Sequence, residues 1–336
     1  MSPRGRRNLA TTYLGLNLSH PLIAGAGPLT KDLDSVRALE DAGAAALVLP
    51  SLYEEEVVGE QMSGLVYSES HDESFAEAQS YAPEPDLALG PDEYLEHVRR
   101  VKAAVRIPVI ASLNGVTPGG WTSFAGLIEE AGADALELNL YHAASDPTVS
   151  GAEVERGMAE IVRTVKAGLG IPVAAKISAL FSAFAHFARQ LDQAGADGFV
   201  LFNRFHRVDI DVVELELVRS LPLSDSSELQ ARLKGAAILS GRVRGSIAIT
   251  GGVHAALDVV KATMAGAHAV QMVSALLRNG PRHFGVVLAD LEAWMEENEW
   301  ASLDPMRGNM SLGRISDPGT YERAHFVTMF RDPCRG

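Results

Sequence analysis

A short segment occurs four times along the chain, at Ala42-Gly43-Ala44, Ala131-Gly132-Ala133, Ala194-Gly195-Ala196 and Ala265-Gly266-Ala267, each time followed by an apolar run. Repetition of this kind marks a repeated architectural unit. Each copy follows a stretch with helical periodicity, such as Ser35 to Glu40, and leads into a strand-like run: Ala46 to Leu49, Ala135 to Leu140, Gly198 to Phe202 and Ala269 to Met272. The glycine falls where a helix ends in a left-handed residue. The runs are almost wholly apolar rather than alternating, which suits parallel strands covered on both faces. Four further runs, Leu22 to Gly25, Val109 to Leu113, Val173 to Lys176 and Ser246 to Thr250, complete a set of eight. Eight strands alternating with helices predict an α/β fold, the (β/α)8 or TIM barrel, with an open doubly wound sheet as the competing arrangement.

The 336 residues are enough for one such barrel with loop insertions, and no low-complexity linker divides them. A single domain over residues 1–336 is therefore expected, closed by a C-terminal capping segment from about Trp294 onward. A net charge of -14 argues against nucleic acid or an anionic membrane as a partner. The lone cysteine, Cys334, allows neither a disulfide framework nor a cysteine metal cluster, so no metal is expected. No run approaches the roughly 18 apolar residues of a spanning helix, and the basic Met1 to Arg7 is not followed by an apolar stretch. These features read as a cytoplasmic protein that acts on a small molecule and can form a homo-oligomer.

Barrel chemistry takes place at the carboxyl ends of the strands. Those ends carry Ala24-Gly25-Ala26-Gly27, Pro50-Ser51, Ser112 with Asn114, Asn139 with Tyr141 and His142, Lys176 with Ser178, Asn203 with Arg204, Thr250-Gly251-Gly252, and Gln271 with Ser274. One amide, amine or hydroxyl at the end of each apolar strand converges polar groups on a central cavity, as a planar polar ligand requires. Gly251 and Gly252 let backbone N–H groups approach a phosphate, at the common phosphate site of such barrels; the simpler reading is a tight turn. Lys176 is a cation at the end of a buried strand, which calls for an anion or an electron-rich ligand, or else a salt bridge to a barrel carboxylate such as Glu137. Asn139 and Asn203 can donate and accept together. His254 opens the helix after the phosphate loop, where it could touch phosphate or simply be a solvated helix start, and Phe181, Phe184 and Phe187 have the spacing of core packing. Glu54-Glu55-Glu56 reads as a solvated acidic loop, and Tyr67 to Glu84 as an excursion over the barrel mouth.

In order and spacing, these motifs resemble the dihydroorotate dehydrogenases, FMN-dependent (β/α)8 barrels. The resemblance runs from Thr12-Tyr13-Leu14-Gly15-Leu16 and His20 to Gly27, through Glu137-Leu138-Asn139-Leu140 and Lys176, to Thr250-Gly251-Gly252 and Gln271 to Leu276. It implies that the backbone of Ala24, Gly25, Ala26 and Gly27 lies against the flavin ring and Lys176 near its pyrimidine edge. It also implies that Ser112 and Asn139 bond the ring or the substrate, that Asn203 faces the substrate, and that Gly251, Gly252 and Ser274 hold the FMN phosphate. Ser51, Thr250 and Gln271 complete the implied cofactor set. A fixed cation at the pyrimidine edge stabilises the negative charge of a reduced flavin and raises its potential.

The chain departs from the family pattern at three places. Pro50 stands where the family has a lysine. Tyr141-His142-Ala143-Ala144-Ser145-Asp146-Pro147 replaces the segment carrying the family's cysteine or serine base and the asparagine after it. Leu87 to Asp92 replaces an asparagine-rich loop. His142 is the natural substitute base, because imidazole titrates near neutrality; Tyr141 is the alternative proton donor, and an exposed loop histidine with no role is the plain reading. The expected activity is oxidation or reduction of a C–C bond in a small carbonyl-bearing, pyrimidine-like substrate, and the departures argue against efficient turnover of dihydroorotate itself. The electron acceptor or donor is left open, since neither iron–sulfur cysteines nor a nicotinamide fingerprint is present. Two other readings remain: a flavin-free lyase or isomerase using Lys176 as a Schiff-base amine, and a catalytically silent FMN-binding partner subunit.

Overall fold

The computed structural model describes residues 7–53, 90–114, 121–140, 145–204, 207–220 and 222–322. After a short antiparallel pair, β1 (Thr11–Tyr13) and β2 (Leu16–Leu18), eight parallel strands close into a ring. They are β3 (Leu22–Ala24), β4 (Leu47–Tyr53), β5 (Val109–Asn114), β6 (Ala135–Asn139), β7 (Val173–Ile177), β8 (Gly198–Leu201), β11 (Ser246–Thr250) and β12 (Ala269–Met272). β12 pairs with β3, so the sheet has no open edge, and the (β/α)8 barrel expected from the repeat is the architecture observed.

The four repeat glycines carry left-handed backbone: Gly43 at φ 96°, Gly132 at 97°, Gly195 at 106° and Gly266 at 122°. They end the helices α1 (Leu33–Asp41), α3 (Trp121–Glu130), α5 (Phe184–Ala194) and α7 (Ala256–Ala265). The residue after the second alanine of the repeat also has a job. Asp134 Oδ2 accepts the Val109 N–H at 2.7 Å and Lys102 Nζ at 2.6 Å; Asp197 Oδ2 accepts the Val173 N–H at 2.8 Å and Lys166 Nζ at 2.8 Å. In the fourth copy His268 Nδ1 takes the Ile247 N–H at 3.0 Å. Burial, and then the neighbouring Arg307 charge, hold that imidazole down at about 4, so the ring stays neutral and able to accept. Each of these three acceptors thus pins the first turn of the preceding strand. Asp134→Ala leaves a strand N–H without its acceptor, and a loss of about 1–3 kcal/mol in urea denaturation is expected.

Alternation along the strands sorts the core into two regions. Inside the ring lie Ile23, Val48, Ile110, Ala135, Ala174, Val200, Ala248 and Ala269, mostly small, with Tyr13, Leu14 and Leu18 of the β1–β2 hairpin filling the bottom. The opposite faces, Leu22, Leu47, Leu136, Val173, Phe199 and Ile249 among them, pack against the helices. With a period of two, the inward residues one step higher are Ser112, Glu137, Lys176 and Gln271. The strand sequence itself therefore raises a polar layer on an alanine-rich floor.

Two features differ from the sequence expectation. β4 does not stop at Leu49 but runs on to Tyr53, with its register against β5 shifted between Val48 and Ser51; the interruption sits at Pro50, which has no N–H to give the ladder. An antiparallel hairpin, β9 (Arg207–Asp211) and β10 (Glu216–Ser220), is inserted between β8 and α6 (Leu229–Leu239). The segment after α9 (His283–Glu297) runs beneath the barrel: the Gly308, Met310 and Leu312 N–H groups donate to Thr263, Met264 and Ala237 carbonyls at 2.9, 2.9 and 3.0 Å. Phe187 is fully buried and stacks with Phe181 at 4.2 Å, and Phe184 meets Phe202 edge-on at 5.2 Å, so the phenylalanine series is packing, as its spacing suggested. Met1 to Arg6, Glu54-Glu55-Glu56, the stretch Tyr67 to Glu84, Leu87 to Leu89 and Cys334 lie outside the described residues.

Candidate functional site

At the carboxyl end of the ring the polar layer forms one hydrogen-bonded set. Glu137, with no exposure to solvent, accepts Lys176 Nζ on Oε1 at 3.0 Å and Gln271 Nε2 on Oε2 at 2.6 Å. The set ties β6, β7 and β12 together across the barrel interior. Lys176 is 9% exposed, and an ammonium has three donors, so the contact with Glu137 leaves others for a ligand above. Gln271 Oε1 is buried and unpartnered. The salt bridge weighed from sequence is therefore real, and Lys176 is both a paired residue and one standing beneath the barrel mouth.

Beside this set, Ser51 Oγ and Ser112 Oγ lie 2.8 Å apart, in register on β4 and β5. Ser112 is locked by Tyr94, whose hydroxyl donates to the Ser112 carbonyl at 3.0 Å and accepts its N–H at 2.8 Å. Burial pushes the Tyr94 phenol well up, and Glu137 adds to this; Tyr13, below Glu137, is raised by the same two causes. Both phenols stay neutral. Nearer the mouth, Asn203 Nδ2 donates to Asn139 Oδ1 at 2.8 Å. That bond orients both amides and leaves the Asn139 amide N–H groups and the Asn203 carbonyl for a ligand.

The phosphate-type cluster is separate. Gly251 and Gly252 have φ of 82° and 79°, and a Cβ on Gly252 would lie 2.5 Å from the Leu229 nitrogen, so glycine is required there. The Gly252 N–H donates to Ser224 Oγ at 3.3 Å, the Ser224 N–H donates to Ser274 Oγ at 3.0 Å, and His254 Nε2 lies 3.2 Å from Ser224 Oγ. His254 precedes α7 rather than lying in it, and burial, then the Arg278 charge, lower its pKa. Arg232 donates from Nε to the Thr250 carbonyl, fixing the loop from below. Gly252→Ala meets both a left-handed backbone and the Leu229 main chain; loss of the loop geometry, and with it of FMN retention after removal of excess cofactor, is the expected outcome.

The opening turn Ala24 to Gly27 reaches across to β12. Gly25 donates to the Met272 carbonyl at 3.1 Å, and a Cβ on Gly25 or Gly27 would press on Val273 at 2.8 and 2.9 Å. Its glycines are thus explained by packing on β12, while Ala24 and Ala26 are buried and half-buried at the same rim. Tyr141 and His142, the two proton-transfer candidates, lie outside the described residues. Sequence reasoning missed Ser224, Arg232 and Tyr94. The signal for Ser224 was present in Leu223-Ser224-Asp225-Ser226-Ser227, a small-polar run opening a helix, but nothing local ties it to Gly252.

The geometry suits a flavin. The cation, the buried Gln271 oxygen and the asparagine pair offer the mixed donors and acceptors that a flavin's polar ring edge needs, and the Gly252, Ser224 and Ser274 cluster offers small donors where a phosphate fits. No helix among the described residues is long and apolar enough to cross a membrane, and no group of three His, Cys, Asp or Glu among them is arranged to hold a metal. Residues 8–295 match the family model described as dihydroorotate dehydrogenase. Among curated proteins, the chain is 28% identical over 316 residues to the dihydroorotate dehydrogenase B (NAD(+)) catalytic subunit of Thermoplasma volcanium, covering 90% of this chain and 98% of the relative. Proteins of the same name from Thermoplasma acidophilum (28% over 312 residues, 90% and 98%) and Methanothermobacter thermautotrophicus (26% over 317 residues, 89% and 97%) are similar over comparable spans. A match across nearly the whole ring, joined to a polar layer assembled from the same strand ends, places the chain in the dihydroorotate dehydrogenase family.

Proposed function

We propose that the chain is an FMN-dependent oxidoreductase that oxidises or reduces a C–C bond in a small, carbonyl-bearing, pyrimidine-like substrate. The observation that carries this reading is the buried Lys176–Glu137–Gln271 set beneath the asparagine pair. Bound at the mouth, FMN supplies hydride transfer to or from a carbon of the substrate. Lys176, Ser112, Ser51 and Gln271 would hold its ring edge, with the backbone of Ala24 to Gly27 along one side; Gly251, Gly252 and Ser274, joined by Ser224, would hold its phosphate.

The protein's own residues do three things in this scheme. Lys176 presents positive charge where negative charge accumulates on reduction, and Glu137 sets how much of that charge is felt. Asn139 and Asn203 orient the substrate's carbonyl and N–H groups. A side chain on the loop after β6, His142 or Tyr141, exchanges the proton that accompanies hydride transfer. The Schiff-base alternative is disfavoured, because Lys176 already donates to a fully buried carboxylate and the family is one of flavin-dependent oxidoreductases. The silent-subunit reading predicts bound flavin that no substrate reduces.

The test is anaerobic addition of dihydroorotate and of unsubstituted dihydropyrimidines to the FMN-loaded protein. Slow or absent bleaching by dihydroorotate with faster bleaching by another dihydropyrimidine is expected. Failure of every such compound to bleach the flavin would overturn the substrate class.

A further inference from the structure

The amino end of the barrel, opposite the mouth, carries a solvent-open pocket of about 530 Å³ between the turn joining α6 to β11, the repeat turn before β12, and the C-terminal segment. Arg242, Arg244, Arg307 and Arg314 all line it, against one carboxylate, Asp304. In a chain with a net charge of -14, such a concentration of guanidinium groups needs a reason.

Two of the four are accounted for by the fold. Arg244 bonds Asp192 through Nε at 3.0 Å, and Arg307 bonds Asp304 at 2.8 Å and Thr11 Oγ1 at 2.9 Å. Even so, Arg307 Nε is buried with no partner. Arg242 and Arg314 are exposed at the pocket's rim and have no carboxylate within ion-pair distance among the described residues, which leaves their guanidinium groups open to a ligand. Neutral donors stand with them: His268 accepts the Ile247 N–H on Nδ1, so its uncharged ring carries the proton on Nε2, and the Ser240 and Ser311 hydroxyls are on the same wall. Like charges gathered around one cavity repel, and an anion relieves the repulsion while using the planar donor forks. The volume is that of a small-molecule site.

We propose that this cavity is a second ligand site, binding a small anion that carries more than one phosphate group, at the far end of the barrel from the flavin site. Its ligands are Arg242 and Arg314, with Arg307 and His268 supplying the inner donors. It sits at the foot of β11, the strand whose upper end carries Gly251 and Gly252.

Calorimetric titration with inorganic pyrophosphate of the protein saturated with FMN, so that the phosphate cluster at the mouth is already filled, tests this without turnover. Saturable binding is expected, weakened at least tenfold in Arg242→Ala/Arg314→Ala, with FMN uptake unchanged because both side chains are remote from the mouth. Arg314→Gln alone serves as a milder variant should the double one fold poorly, and is expected to weaken binding several-fold. No binding by the wild-type protein, or equal binding by either folded variant, would overturn the proposal.

Discussion

Lys176→Ala is expected to lower the flavin's midpoint potential and slow its reduction by substrate by about 10²–10³, equivalent to about 2.7–4 kcal/mol, the effect typical of removing one charge-stabilising donor from a dry site. The size follows from position: Lys176 is 9% exposed, at the top of a strand whose lower neighbours are fully buried, so water cannot replace the missing charge. The variant also strands Glu137, which keeps only its bond from Gln271. FMN content is expected to fall for the same reason, since a buried carboxylate without its cation repels the electron-rich ring edge. Lys176→Arg, which keeps the charge, separates the two contributions. Stopped-flow anaerobic reduction and a redox titration of the loaded variants make the comparison. Unchanged flavin content, potential and reduction rate in Lys176→Ala would remove Lys176 from the account.

Glu137→Ala is expected to be the most destabilising single change in the barrel interior. It deletes the acceptor of both Lys176 and Gln271 and leaves a largely buried cation without its counter-charge, costing about 3–5 kcal/mol. Urea denaturation measures this loss. Glu137→Gln keeps the shape and one acceptor while removing the charge, so it should fold better than Glu137→Ala and act on the cofactor in the opposite direction from Lys176→Ala: the flavin potential rises, because the Lys176 charge is no longer balanced. A potential that falls in Glu137→Gln would mean that Glu137 does not act through Lys176.

The barrel was legible because its evidence is local and repeated. Gly43, Gly132, Gly195 and Gly266 each stop a helix in left-handed geometry within a few residues of sequence, whereas the fastening of the preceding strand by Asp134, Asp197 or His268 reaches back 25, 24 and 21 positions and was not read. The strand-end polar residues were legible for the same reason, since period-two alternation places Ser112, Glu137, Lys176 and Gln271 inside the ring once the ring is granted. What was not legible depends on long-range partners. Whether Lys176 meets a ligand or a carboxylate turns on Glu137, 39 positions away, and the Gln271 contact spans 134. Ser224 meets Gly252 and Ser274 only because the β9–β10 hairpin returns the chain to the rim; alternating valines, leucines and acids over Val208 to Val218 gave a two-residue period that was passed over. The extension of β4 past Pro50 was hidden because proline interrupts a ladder without ending the strand's direction.

The most direct test of the central claim is the absorption spectrum of the purified protein before and after incubation with FMN and removal of the excess. Retained flavin absorbance in stoichiometric amount, lost in Gly252→Ala and reduced in Lys176→Ala, is the expected result. A colourless wild-type protein that retains no added FMN would contradict the assignment of the barrel mouth as a flavin site.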